Sequence, residues 1–349
     1  MGYERERGEG VSEHFPRTDP SELLRYRDSL YASDLLICAV AHLDFFTVLK
    51  DSPRSLAEIC AALQLASRPA DVMLTLFLAL GLVNKRGGRY SLSAVARDYL
   101  VSGTPWSLVP YYASQMDRPQ CREFREVLKT DRPAGWSSAG EGRDWLEAMK
   151  DAQFADAFTA AMDSRGTFLA RKLAAKLDCR TYRSLLDIAG GSGVYACALA
   201  QANDRMAATV LERAPVDRAT RRSIESKQMS GRVHVIAGDM FKEIPEGYDI
   251  HLFANVLHDW DYESARRLLE MSYEAVDDGG MIAIFDAHLS KSKDGPLAVA
   301  EYSCLLMHST VGRCYSIEEV EGMLSSAGFT DTLVRDVAAH RSVITAKKK

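Results

Sequence analysis

The stretch SLLDIAGGSGVYACALA, residues 184–200, decides the fold. An apolar run, Leu185 to Ile188, breaks into Gly190, Gly191 and Gly193, and an apolar helical pattern resumes at Tyr195. The reading is a buried strand, a tight turn and a helix. Glycines let the backbone approach a ligand closely, and the carboxyl end of a parallel strand is where open α/β sheets bind one. Outward from this segment, strand patterns at 209–212, 233–237, 250–255, 281–286, 331–336 and 342–346 alternate with helical patterns at 195–201, 214–227, 262–275 and 317–327. Such alternation predicts a largely parallel, Rossmann-like sheet with helices on both faces.

The N-terminal half reads differently. Residues 1–20 are polar and charged, a flexible tail. Leu35, Leu36, Val40, Leu43 and Phe46 recur at helical spacing, an apolar helix that asks for a partner surface. Ser55 and Glu58 form a capping box, a second helix spans 68–81, and Arg86-Gly87-Gly88 turns a short hairpin. Helix, helix and β-wing is the order of a winged helix. The expected division is a tail at 1–20, a mostly helical winged-helix domain at 21–105, a helical connector at 106–178 and an α/β domain at 179–349.

Composition narrows the classes. The 349 residues carry a net charge of −5, which disfavours nucleic acid and membrane surfaces. No apolar run is long enough to span a bilayer, and the charged start MGYERERGEG is unlike a secretory signal, so a cytoplasmic protein is expected. Seven scattered cysteines with no C-x-x-C spacing argue against disulfides and a zinc cluster, and no metal is expected. A DNA-binding regulator is the rival that the winged helix raises. The helix DVMLTLFLALG (71–81) is too apolar for a groove, with Arg68 its only nearby cation.

Glu212 ends the strand after the glycine loop, placed to accept from both hydroxyls of a ribose. The run AGGSG lacks the third glycine of a dinucleotide loop, and Asp187 would repel a pyrophosphate. A cationic nucleoside suits these carboxylates better, and S-adenosylmethionine (SAM) is one. Asp239, in AGDMF, is placed for an adenine amino group, with Met240 and Phe241 as apolar ring surface. NVLHDWD (255–261) falls at the next strand end. His258 there can take a proton near neutral pH, Trp260 offers a flat face, and Asp286 at the end of the following strand can hold the imidazole. The other seven histidines read as structural. Aromatic and apolar residues over 154–162 suit a flat, hydrophobic acceptor.

LLDIAGGSG, GDMF, LHDW and GRCYSIEEVEGMLSSAGF, in this order, resemble the SAM-dependent O-methyltransferases of the caffeic acid and hydroxyindole type, including their bacterial tailoring branch. The resemblance covers about residues 25–349. It implies a winged-helix domain that builds a homodimer, and SAM as cofactor. It also implies methylation of a hydroxyl, expected to be phenolic, on an aromatic small molecule of natural-product biosynthesis. Carried over by position, the cofactor residues are Asp187, Ala189, Gly190, Gly191, Gly193, Glu212, Arg213, Asp239, Met240, Phe241, Asn255 and Trp260. The catalytic pair is His258 and Asp286, and Phe158, Met162, Leu305, His308 and Ser309 line the acceptor. Four positions depart from the family pattern. Ala189 replaces a glycine, Glu212 an aspartate, Ala254 a lysine, and Cys314 the second glutamate that flanks the histidine in the plant enzymes. A thiol is a weak partner for imidazole. That departure keeps open a hydroxylase, decarboxylase or pericyclase on the same fold, and N- or C-methylation.

Overall fold

The computed structural model describes residues 18–134 and 145–349. Most of the expected tail and the middle of the expected connector, residues 135–144, lie outside the described residues. The N-terminal part is helical with a small antiparallel sheet. Strands β1 (Arg54–Ser55), β2 (Val83–Arg86) and β3 (Arg89–Leu92) pair in the order β1-β3-β2. Ser55 caps the helix Leu56–Leu63, its side chain accepting from the Glu58 N–H while Glu58 reaches back to the Ser55 N–H. The helix Ser67–Ala79 follows, and helix, helix and wing appear in the expected order.

The apolar stretch over 35–46 is two helices. Asp44, at φ 47°, breaks it into Ala32–Ala41 and Phe45–Val48. Its Leu35, Cys38, Val40, Phe45 and Phe46 are buried within the chain's own core, so this stretch does not present the partner surface expected of it. The exposed large apolar side chains are others: Leu23, Tyr26, Leu30, Trp106 and Tyr111 are each more than 60% exposed. The helix Leu297–Ser309, grouped with the C-terminal sheet in the sequence division, packs into the N-terminal core against Ser67–Ala79. Val72, Met73, Leu74, Leu76 and Phe77 of Ser67–Ala79 are buried there, so most of that helix is committed to packing.

The C-terminal sheet has seven strands. They are β4 (Ser184–Ile188), β5 (Ala207–Glu212), β6 (Val233–Ala237), β7 (Tyr248–Ala254), β8 (Val276–Asp286), β9 (Thr330–Ala338) and β10 (Arg341–Lys347), in the order β6-β5-β4-β7-β8-β10-β9. All pairings are parallel except those of β10, which runs antiparallel to both neighbours. The central strands read as continuous apolar runs because both faces are covered. Leu169, Leu173 and Leu199 pack on one face, Leu268, Met323 and Leu324 on the other. The order reverses between β4 and β7, and the carboxyl ends diverge there into a crevice.

Candidate active site

The pocket in that crevice is lined from the sheet side by Ala189–Ser192, Glu212, Arg213, Asp239–Phe241, Asn255, His258, Asp259 and Trp260. The facing wall comes from Arg27, Met149, Lys150, Phe158, Met162, Arg165, Tyr302, Leu305, Leu306 and Thr310. Four strand ends, those of β4, β5, β6 and β7, therefore deliver sheet-side groups that the sequence scatters from Ala189 to Trp260.

The loop after β4 needs its glycines. A Cβ on Gly190 would lie 2.5 Å from the Asp187 Cγ, and Gly191 turns at φ 56°. Ala189 holds φ 53°, a conformation that a glycine adopts at less cost. Glu212 is buried and lies against the loop. Its Oε2 accepts from the Gly191 N–H at 3.0 Å and its Oε1 from the Arg213 N–H at 2.8 Å. Burial raises the pKa of its carboxyl, and these two N–H groups offset only part of that rise. Asp239 accepts from the Phe241 N–H at 3.1 Å, and Phe241 meets Trp260 edge to face at 4.6 Å between centroids. Asn255, at φ 57°, donates to Tyr195 Oη at 3.0 Å and accepts from Arg341 Nε at 3.3 Å.

Two residues expected on this wall stand one layer behind it. Asp187 is fully buried under the loop, where its Oδ2 accepts from the Ala196 N–H at 3.3 Å and its Oδ1 has no partner. Desolvation pushes its carboxyl up to about 7, and the field of Glu212 adds to this. Gly193 is the N-cap of the helix Val194–Ala202 at φ 73°, where a Cβ would meet Ile224 at 3.2 Å.

His258 sits on a short turn after β7 and is nearly enclosed. Its Nδ1 is 2.5 Å from Asp286 Oδ1. Its Nε2 is 3.6 Å from Asp259 Oδ1, and both residues line the pocket. Burial lowers the basicity of the imidazole, but Asp286 and Asp259 outweigh it, and the ring's pKa ends above its ordinary value. Asp286 is correspondingly held below the usual carboxylate range by the imidazole, against its own burial. Burial pushes Asp259 the other way, up to about 6. Cys314 is buried, its N–H bonded to Ser303 Oγ at 3.1 Å, and it is not on the pocket wall. The second carboxylate beside the imidazole is Asp259.

On the facing wall the structure brings Phe158, Met162 and Leu305 to the pocket. It places His308 and Ser309 elsewhere. His308 Nε2 bonds Glu123 Oε2 at 2.8 Å, and the ring stacks on Tyr31 at 4.5 Å, within the N-terminal core. Ser309 is buried off the wall, and Leu306 and Thr310 take the lining positions. The sequence reading also missed Arg165 and Tyr302, which line the pocket and are joined by a hydrogen bond of 3.2 Å.

The donor set fits SAM on the structure's own terms. A carboxylate touches the glycine loop, an aromatic pair stands beside Asp239, and Asp187 Oδ1 is an unpartnered buried acceptor under the loop. Fold and site together define a SAM-binding methyltransferase of the Rossmann-like type. Residues 123–330 match the O-methyltransferase domain and residues 24–102 the O-methyltransferase dimerisation domain, and the chain belongs to this family. It is a SAM-dependent methyltransferase. Among its relatives, the 3-hydroxy-5-methyl-1-naphthoate 3-O-methyltransferase of Streptomyces sahachiroi is 29% identical, over 89% of this chain and 90% of the relative. The L-tyrosine C(3)-methyltransferase of Streptomyces lavendulae is 31% identical over 83% and 82%. The solved structure of an O-methyltransferase family 2 protein from Planctomyces limnophilus, in complex with apigenin, superposes with a TM-score of 0.86 at 30% identity, covering 96% of this chain and 98% of that one. No helix among the described residues is long and apolar enough to cross a membrane.

Proposed function

We propose that this enzyme methylates a hydroxyl on an aromatic small molecule of natural-product biosynthesis, with His258 as general base. The observation that carries the reading is the His258–Asp286 dyad, 2.5 Å long and buried, with His258 on the wall of the glycine-loop pocket. The bound cofactor supplies an electrophilic methyl on a sulfonium. Glu212 holds the ribose hydroxyls, Asp239, Met240 and Phe241 the adenine, and Trp260 closes that end. Ala189, Gly190, Gly191, Arg213 and Asn255 line the cofactor's path, and Asp187 and Gly193 shape the loop from behind.

Asp286 accepts from the Nδ1–H of His258, which leaves the lone pair on Nε2. That nitrogen takes the hydroxyl proton, and Asp286 and Asp259 stabilise the imidazolium that results. A phenol near pKa 10 is too weakly acidic to ionise unaided at neutral pH, and a positioned base contributes typically about 10²- to 10⁴-fold. Phe158, Met162 and Leu305 give the acceptor a flat apolar wall. Asp259 performs beside Nε2 the service that Cys314 cannot. Holding oxygen in line with the methyl contributes further.

Methylation at carbon is a second reading, favoured by the tyrosine C(3)-methyltransferase among the relatives. A deprotonated phenol is nucleophilic at its ortho carbon as well as at oxygen. The N-terminal domain, within residues 21–105, builds a homodimer, as the dimerisation-domain match supports. Incubation with SAM and a panel of phenols and naphthols tests the function. The expected product is a methyl ether formed by wild type and scarcely by His258→Ala. A C-methyl product selects the second reading, and equal turnover by His258→Ala refutes the role of the histidine.

A further inference from the structure

Arg68, the cation beside the apolar helix of the winged-helix segment, is turned inward, its side chain 13% exposed. It stands in the first turn of Ser67–Ala79. Its Nη1 donates to the Gly312 carbonyl at 2.6 Å, and its Nε to Asp131 Oδ1 at 2.7 Å. Three residues along the same face of that helix, Asp71 accepts from Arg313 and, at 2.7 Å, from Lys293 Nζ. Two residues of the N-terminal domain thus grip consecutive residues of the connection between Leu297–Ser309 and Ile317–Ala327.

Gly312 presses on the turn that carries the base. A Cβ built on it would lie 2.0 Å from the His258 carbonyl oxygen and 2.6 Å from the Asp259 carbonyl carbon. The approach is backbone on backbone, which glycine alone permits. Three residues on, Tyr315 Oη donates to the Trp260 carbonyl at 2.7 Å. The connection therefore touches His258, Asp259 and Trp260, and Arg68 holds it at its nearest point. A guanidinium suits that position, because its fork bonds the Asp131 carboxylate and the Gly312 carbonyl at once. Asp131 is 44% exposed, and a pair that open contributes little to stability by itself.

We propose that Arg68 is a positioning residue for the reaction: through Gly312 it fixes the turn that bears His258 and Asp259, so the winged-helix domain sets the geometry of the base. This rests on the reading of His258 as general base. The residue acts at a distance, with no contact to cofactor or acceptor, and its effect is on alignment rather than on binding.

The test reads His258 directly, by NMR titration of its ring in histidine-labelled protein loaded with S-adenosylhomocysteine (SAH). The signal is assigned by its loss in His258→Gln. Wild type is compared with Arg68→Met, which keeps the apolar stem and removes the fork, and with Arg68→Lys. Arg89→Ala, which breaks another ion pair of the same domain, to Glu58 at 2.7 Å, is the control. Burial lowers the basicity of the imidazole and so does Arg165, while Asp286 and Asp259 raise it further; His288 also stands near. Drift of the turn away from the two acids, or into water, therefore lowers the inflection. Arg68→Met is expected to lower it by about half a unit or more. With the best phenol or naphthol acceptor it should cut kcat about tenfold or more, with SAH affinity held within about twofold. Arg68→Lys should recover part of both, and Arg89→Ala should change neither. If Arg68→Met fails to fold, Asp131→Ala, at an exposed position, decides, with a shift in the same direction expected. An unmoved inflection in the folded variant overturns the proposal, as does a fall in SAH affinity that matches the fall in kcat, or an equal shift in Arg89→Ala. Failure of wild type to bind SAH, or equal turnover by His258→Ala, refutes the reading of the base instead, and titration of the unloaded protein then judges the coupling.

Discussion

Asp286→Asn separates two contributions that the structure assigns to one carboxylate. Asp286 fixes the tautomer of His258 through the 2.5 Å contact at Nδ1, and its charge raises the imidazole's pKa. Asparagine keeps the shape and removes the charge. Its amide can also donate to Nδ1, which puts the proton on Nε2, the nitrogen that must be free. Turnover of wild type should rise with pH as His258 deprotonates, with the inflection above the ordinary histidine value. In the variant the burial of the ring, which lowers its pKa, is opposed only by Asp259. The inflection should therefore move to lower pH, while the alkaline plateau falls by on the order of 10²- to 10⁴-fold from the misplaced tautomer and weaker base. The assay is SAH release at saturating acceptor across the pH range, with folding checked at each pH. A plateau unchanged by the substitution, or an inflection that stays or moves to higher pH, would refute the assignment.

Three further outcomes follow from the packing. Asp187 has a folded pKa raised from 3.8 to about 7, so the native state binds more protons, and stability falls as pH rises between those values. Asp187→Asn should remove that slope and raise the melting temperature of the cofactor-free protein at pH 8. Its limit is about 4 kcal/mol, at about 1.4 kcal/mol per unit, and equal slopes in the two proteins would contradict the burial argument. A Cβ on Gly312 would overlap the carbonyl oxygen of His258. Gly312→Ala should shift the base and cost turnover on the order of 10²-fold, and an unchanged rate would contradict the coupling of Gly312 to His258. Tyr26 and Leu30, inside the dimerisation-domain match, are 75% and 63% exposed. The double substitution Tyr26→Glu, Leu30→Glu should shift sedimentation from dimer to monomer; a dimer that survives would contradict this placement of the interface.

Much of the fold was legible because its signals are local. The β4–glycine–helix unit, the capping box at Ser55 and Glu58 and the helices Tyr262–Ala275 and Ile317–Ala327 are all read from neighbours in sequence. The strands of the buried sheet announce themselves as apolar runs, and their carboxyl ends bring Glu212, Asp239 and His258 to one crevice. What the sequence hides is long-range. Leu297–Ser309 is apolar on all sides because it packs on the N-terminal core, and nothing near it in sequence says so. The turn at Asp44 interrupts an unbroken apolar pattern. Glu123 draws His308 away from the pocket across 185 positions. Arg165 sits on a helix whose pattern looks like core, and only its place on the pocket wall beside Tyr302, seen in three dimensions, sets it apart. Asp259 was overshadowed by its neighbour His258, and its proximity to Nε2 follows from the turn that carries both.

The proposed function requires that the loop after β4 and Glu212 seat the cofactor beside His258. Calorimetric titration with SAH, of wild type and Glu212→Ala in parallel, tests it most directly. Micromolar binding by wild type and a loss of about 10²-fold or more in the variant are expected, since two hydrogen bonds to a charged group disappear together. Equal affinities in two folded proteins would contradict it.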